Sequence, residues 1–223
     1  MKKKLQKFIR LMSGLIICAL GIVLMINANL GLSPWDVLHE GISKTIGITM
    51  GQASIVIGII VITLDVFLGE NLGFGTILNM LTIGWFMDIF LLNNIIPIAS
   101  SFSLGILMIF LGMILMSVGC YLYIGAGLGS GARDGMMVAL QKRTGKSIRL
   151  VRGTIEVGVL VIGFLLGGRV GIGTVISSIG LGYCIQFVFR LFKFDVAGVS
   201  HRYIIDDIKY IKDVKSNKEC NKN

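Results

Sequence analysis

The sequence predicts an all-α, polytopic membrane helix bundle made of two tandem copies of one unit, and three observations lead there. Of 223 residues, 54% are hydrophobic and only 15% charged, with a mean hydropathy of +0.85, too apolar for a chain that must keep a solvated surface. The apolar runs approach the roughly 20 residues needed to cross about 30 Å of hydrocarbon, whereas a β-barrel would show alternating strands of about ten residues. Finally, sliding the chain by 98 residues aligns residues 11–90 with 109–188 without a gap, giving 19 identities. Eight of these are glycines, so what the copies share is backbone geometry rather than composition.

The elements follow in order. Residues 1–10, MKKKLQKFIR, form a basic N-terminus, and the run after them aligns with a run deep in the chain, so it reads as a retained helix and not a cleaved leader. The first copy occupies 11–97 and the second 98–192, with a basic tail over 193–223. In each copy a long apolar span is followed by a glycine loop and a short polar helix. The first such helix, over 33–47, carries Asp36, His39, Glu40 and Lys44, too many charges to cross the bilayer. Ser33 with Asp36 forms a capping box, and Pro34 suits the first helical position. The second polar helix spans 133–144. Further spans are expected at 51–69, 73–96, 104–127, 153–168 and 172–191. In the tail, Tyr203, Ile204, Ile208 and Ile211 recur at helical spacing, which suggests a surface-lying helix, with disorder after Val214.

Charge sets the topology. The 21 Lys and Arg residues cluster in 2–10, 133–152 and 190–222, as cytoplasmic segments beside anionic lipid do. With six spans and two re-entrant or interfacial half-helices, both termini are cytoplasmic, the copies are inverted, and only Lys44 and Arg169 face outward. Full crossing by the half-helices would give eight spans and parallel repeats. The charge count does not separate the two, and the shortness and polarity of the half-helices favour six.

Inverted repeats with interrupted helices place helix N-termini, with their unpaired N–H groups, near the bilayer midplane. That makes Ser33, Trp35, Asp36, Arg133 and Asp134 the centre of a solute or ion site. The alternative is that Asp36 and Asp134 only cap their helices. Arg133 at such a depth needs a carboxylate or an anionic ligand, and Asp36 or Asp134 is nearest if the two helix starts meet. The intramembrane acids Asp88 and Glu156 join the candidate binding residues, Asp65 is a third suspect, and Gln186 matches Asp88 in the second copy. Trp35 and Trp85 could instead be interfacial anchors.

His39 has no second ligand at metal spacing, no cofactor signature is present, and GxSxG, HExxH, P-loop and CxxC motifs are all missing, so no catalytic residues are assigned and a non-enzyme is expected. No basic stripe is interleaved with stacking aromatics, which argues against nucleic acid. Two functions remain: a transporter- or channel-like protein for a small solute or ion, or a non-transporting membrane regulator or scaffold that meets a protein partner at its cytoplasmic face. The LGLSPWD start at residues 30–36, the GxGxGxRDG pattern from Gly127 to Gly135, the basic segment after it, and the GxGT openings at Gly73 and Gly171 resemble the YczE/YyaS/YitT-type membrane proteins, most nearly the YczE-like branch. The resemblance covers most of residues 11–190 and implies a bacterial multi-pass cell-membrane protein. It supplies no catalytic residues.

Overall fold

The computed structural model describes residues 2–70, 72–129, 131–195 and 198–199. Among them are eight helices: α1 (Lys2–Asn27), α2 (Pro34–Ile46), α3 (Met50–Phe67), α4 (Phe74–Leu92), α5 (Phe102–Ile124), α6 (Ala132–Thr144), α7 (Ile148–Leu165) and α8 (Ile172–Leu191). The expected tail helix lies outside the described residues. Five helices, α1, α3, α4, α5 and α8, are long and apolar enough to cross a membrane. The sixth expected span, α7, has the 18 residues of α3 but carries three charged residues, Arg149, Arg152 and Glu156, in its first half, and it is set apart from the other five by that charge.

The two half-helices are as short as their sequences suggest. At 13 residues each they are about 20 Å long, well under the hydrocarbon thickness. Pro34 opens α2 after Ser33 in an extended conformation, and Gly47 closes it at φ 77°, a left-handed value that favours glycine. The expected capping box at Ser33 is corrected: its hydroxyl donates to the Asp36 carboxylate instead of accepting a helix N–H. An ionised carboxylate is the stronger acceptor, so the hydroxyl turns toward it.

The centre of the bundle is the crossing of α1 and α5, which are corresponding helices of the two copies. They run antiparallel and meet backbone to backbone at positions seven residues apart. A Cβ added to Gly14 would lie 2.9 Å from the Gly119 carbonyl oxygen, one on Gly21 2.7 Å from that of Gly112, and one on Gly105 2.7 Å from that of Ala28. Seven residues are about two helical turns, so the contacts fall on one face of each helix. Lipid tails are as apolar as Leu, so little hydrophobic drive holds such helices together; close van der Waals approach at small residues does. Around this crossing Ala19, Ile22, Val23 and Ile26 of α1 pack with Leu32, Val37 and Met87 in one fully buried cluster, and α1 is the most buried of the five spans.

The remaining helices pair in a matching way. α4 packs on α1 as α8 packs on α5, while each half-helix packs on the long helix after the other one: α2 on α7, and α6 on α3. The α1–α5 crossing yields a stability prediction. Gly21→Ala forces a methyl against backbone atoms that cannot rotate away, and is expected to cost about 1–3 kcal/mol. Gly153→Ala, with nothing within 4 Å of the new methyl, should be neutral or stabilising by up to about 1 kcal/mol through helix propensity. Thermal unfolding of the detergent-purified variants checks the contrast, and equal effects at the two positions would contradict the crossing.

Candidate functional site: a central cavity at two half-helix starts

The loops before α2 and α6 bring the two half-helix N-termini together. Gly173 N–H donates to the Leu30 carbonyl at 2.7 Å, and Gly75 N–H donates to the Leu128 carbonyl, also at 2.7 Å. Leu30 and Leu128 are the same position in the two copies, as are Gly75 and Gly173, so each loop is bound to the opening turn of the other copy's last helix. Gly31 at φ 106° and Gly129 at φ 132° make this possible. A Cβ on Gly31 would stand 2.4 Å from the Gly171 nitrogen, and one on Gly129 2.8 Å from the Gly73 Cα.

Beyond those loops, Trp35 and Arg133 meet. They too are corresponding residues, each second in its half-helix, and the guanidinium carbon sits 4.5 Å from the centroid of the indole ring. Two copies of one unit related by a two-fold axis bring corresponding residues into contact only at that axis. Asp36 lies just behind, buried to 4% exposure, held by Ser33 and with its carboxylate oxygen Oδ1 3.4 Å from Nδ1 of His39.

In front of this pair is a cavity of about 470 Å³ to which all eight helices contribute. Of the residues the sequence singles out, Ser33, Trp35, Arg133 and Glu156 are in its wall, with Glu156 receiving a 2.9 Å hydrogen bond from Arg152 Nε. Asp36 is set behind the wall rather than in it. Asp88 is occupied elsewhere: its carboxylate accepts from the Thr49 hydroxyl and, at 2.8 Å, from the Gly51 N–H, tying α4 to the first turn of α3. The side chain of Asp134 lies outside the described residues. Asp65 is buried at 1% exposure beside Gly135 of α6, and its Oδ1 has no hydrogen-bond partner. Trp85, 63% exposed, faces outward from α4, as an anchor would.

Two functional features were missed at the level of sequence. His39 is 1% exposed, lines the cavity, and neither ring nitrogen makes a hydrogen bond. Nothing in its spacing announced that position, since a single histidine on a helix is equally consistent with a buried packing role. The second is Glu40, which accepts from the Arg169 backbone N–H at 2.6 Å and from Arg169 Nε at 2.7 Å, with Lys44 Nζ 3.3 Å away. Lys44 and Arg169 are the two basic residues that the six-span charge count places outside, a signal that could have pointed to a shared acid between them.

Residues 5–190 match a family of unknown function, DUF6198. The chain belongs to this family. It is 37% identical over 177 residues to the uncharacterized membrane protein YczE of Bacillus subtilis, covering 78% of this chain and 81% of that protein. An uncharacterized protein of Haemophilus influenzae is 36% identical over 181 residues, 81% of this chain and 82% of its own. The uncharacterized protein YyaS of Bacillus subtilis is 29% identical over 179 residues, 79% and 88% respectively. No solved structure matches the chain. The chain is thus a membrane protein of the YczE-like group, as its motifs suggested.

The Trp35–Arg133 contact is testable by a double-mutant cycle in unfolding stability with Trp35→Leu and Arg133→Met. A cation over an indole face in a partly desolvated site is worth about 0.5–2 kcal/mol. The double variant should therefore be less destabilised than the sum of the single variants by that amount, and strict additivity would remove Arg133 from the ring.

Proposed function

We propose that the protein is a transporter- or channel-like membrane protein that binds a small solute or ion in the central cavity, with two inverted copies forming six crossings around re-entrant α2 and α6. The observation that carries this reading is that both half-helix N-termini open on one cavity. Helix starts carry unpaired N–H groups and a partial positive charge, and irregular backbone at membrane depth is tolerated where it lines a cavity. The antiparallel α1 and α5, the reciprocal Leu30–Gly173 and Leu128–Gly75 bonds, and the contact between the corresponding residues Trp35 and Arg133 support inversion.

In this arrangement both termini are cytoplasmic in the cell membrane, and the role is one of binding and passage rather than catalysis. A regulator acting through Lys142, Arg143 and Lys146 gains less support. Lys142 donates to Glu70 at 2.6 Å and Arg143 to the Phe67 carbonyl at 3.3 Å, so two of the three are engaged within the chain.

Solvent access to the cavity tests the reading. In a background with Cys18, Cys120, Cys184 and Cys220 replaced, single cysteines at Ser54, Asn79 and Ser177, which lie in the wall on α3, α4 and α8, should react with small water-soluble thiol reagents. Cysteines at the outward Val175 and Phe187, 60% and 67% exposed, should stay unreactive in lipid. Failure of all three wall positions to react would mean that no aqueous path reaches the cavity, and would overturn the reading.

A further inference from the structure

The two copies differ in one place that bears on what enters the cavity. In the first copy α3 and α4 pack closely: a Cβ on Gly51 would lie 2.0 Å from the Gly84 carbonyl oxygen, and one on Gly58 2.3 Å from the Met80 Cγ. The corresponding positions of the second copy are Arg149 with Gly182, and Glu156 with Ser178. There the packing is gone. α7 and α8 are not among the packed helix pairs, and a Cβ at Gly153, Gly158 or Gly182 would meet nothing within 4 Å. The cavity wall includes Arg152 and Glu156 from α7 and Ser178 from α8, so the cavity reaches into the space between these helices.

We propose that the cavity opens sideways between α7 and α8 and takes up an anionic amphiphile from the surrounding lipid, an inference that rests on the cavity being the solute site. Three observations name that occupant. Most of the wall is apolar, with Ile22, Ile57, Val61, Ile83, Leu181 and Phe189 suited to an acyl or similar tail. Among the described residues the charged side chains in the wall are Arg133, Arg152 and Glu156, two guanidinium groups and one carboxylate, and guanidinium groups match phosphate and carboxylate in two-point geometry. The entrance also carries charge: Arg149 and Arg152 lie in the first turns of α7, directly after the basic segment at Lys142, Arg143 and Lys146. In the proposed topology these residues stand at head-group level on the cytoplasmic side, where anionic lipid is enriched. Arg152 is half exposed, its side chain at 46%, although it lines the cavity, as a residue at an entrance must be. The first copy, with Gly51 and Gly58 in place of Arg149 and Glu156, has neither the opening nor the charges.

Trp35 is the reporter. It lies in the cavity wall at 8% exposure, so lipid outside the bundle does not reach it. In full-length protein carrying Trp85→Phe, reconstituted into vesicles with acyl-chain-brominated phosphatidylglycerol, Trp35 fluorescence should be quenched. Brominated phosphatidylcholine should be less effective by about fivefold in concentration, the preference one basic residue confers near a charged lipid surface, and Arg152→Gln should erase that difference. Installing the first copy's contact through Glu156→Gly with Ser178→Met should close the gap and abolish quenching. Unquenched Trp35 with both lipids overturns the proposal, and does so without touching the solute-site reading if Ser54, Asn79 and Ser177 cysteines still react. Equal quenching by both lipids overturns the anionic preference. Cross-linking of cysteines on α7 and α8 between chains, with Trp35 unquenched, would assign the gap to a second copy instead.

Discussion

Everything in the fold depends on two helix backbones touching at glycine. In lipid there is little hydrophobic reward for bringing α1 and α5 together, so the attraction must come from close contact, and Gly14, Gly21, Gly105, Gly112 and Gly119 provide it over two turns at a time. Because these are corresponding helices, whatever α1 presents to α5, α5 presents to α1. The loops that follow are then delivered to mirrored places, Leu30 at Gly173 and Leu128 at Gly75. The half-helix starts meet as a result, and a cavity is left where two short helices cannot fill the space of two long ones.

Repetition does not make the halves equal. Where α7 has Gly163 against the backbone of Val37 and Leu38, α3 has Asp65, and α6 supplies Gly135 in place of Val37 to make room for it. The bulky side chain changes sides, Val37 on the half-helix in one interface and Asp65 on the long helix in the other. The same logic runs through the acids. Asp88 holds α3 to α4 and so closes the first copy, whereas its counterpart Gln186 is exposed and leaves α8 free of α7. The first copy spends its charges on structure, and the second exposes Arg152 and Glu156 to the cavity.

Much of this was legible in the sequence, because glycine spacing, proline placement and charge density act locally. Both half-helices and the bounds of α8 follow from residues near in sequence, and the repeat from an ungapped match at an offset of 98. The acids were harder to read. Asp88 looks the same in sequence whether it waits for a ligand or caps Thr49 and Gly51, since its partners are more than 35 residues away. His39 becomes notable only when burial removes its partners, and Glu40 only when Arg169 arrives from the other copy. The bounds of α7 differ for another reason: its apolar stretch reads as a span from 153 to 168, while Arg149 and Arg152 belong to the same helix, which runs from Ile148 to Leu165.

The central claim is that the copies are related by an axis through the Trp35–Arg133 contact that lies in the membrane plane, which points the C-terminal ends of α2 and α6 to opposite faces. Single cysteines at Thr45, near the end of α2, and Ser147, just after α6, are both exposed. Labelling them in intact cells with a membrane-impermeant thiol reagent tests the claim most directly. Thr45→Cys should label from outside and Ser147→Cys only after the membrane is opened; labelling of both from the same side would contradict the inverted arrangement.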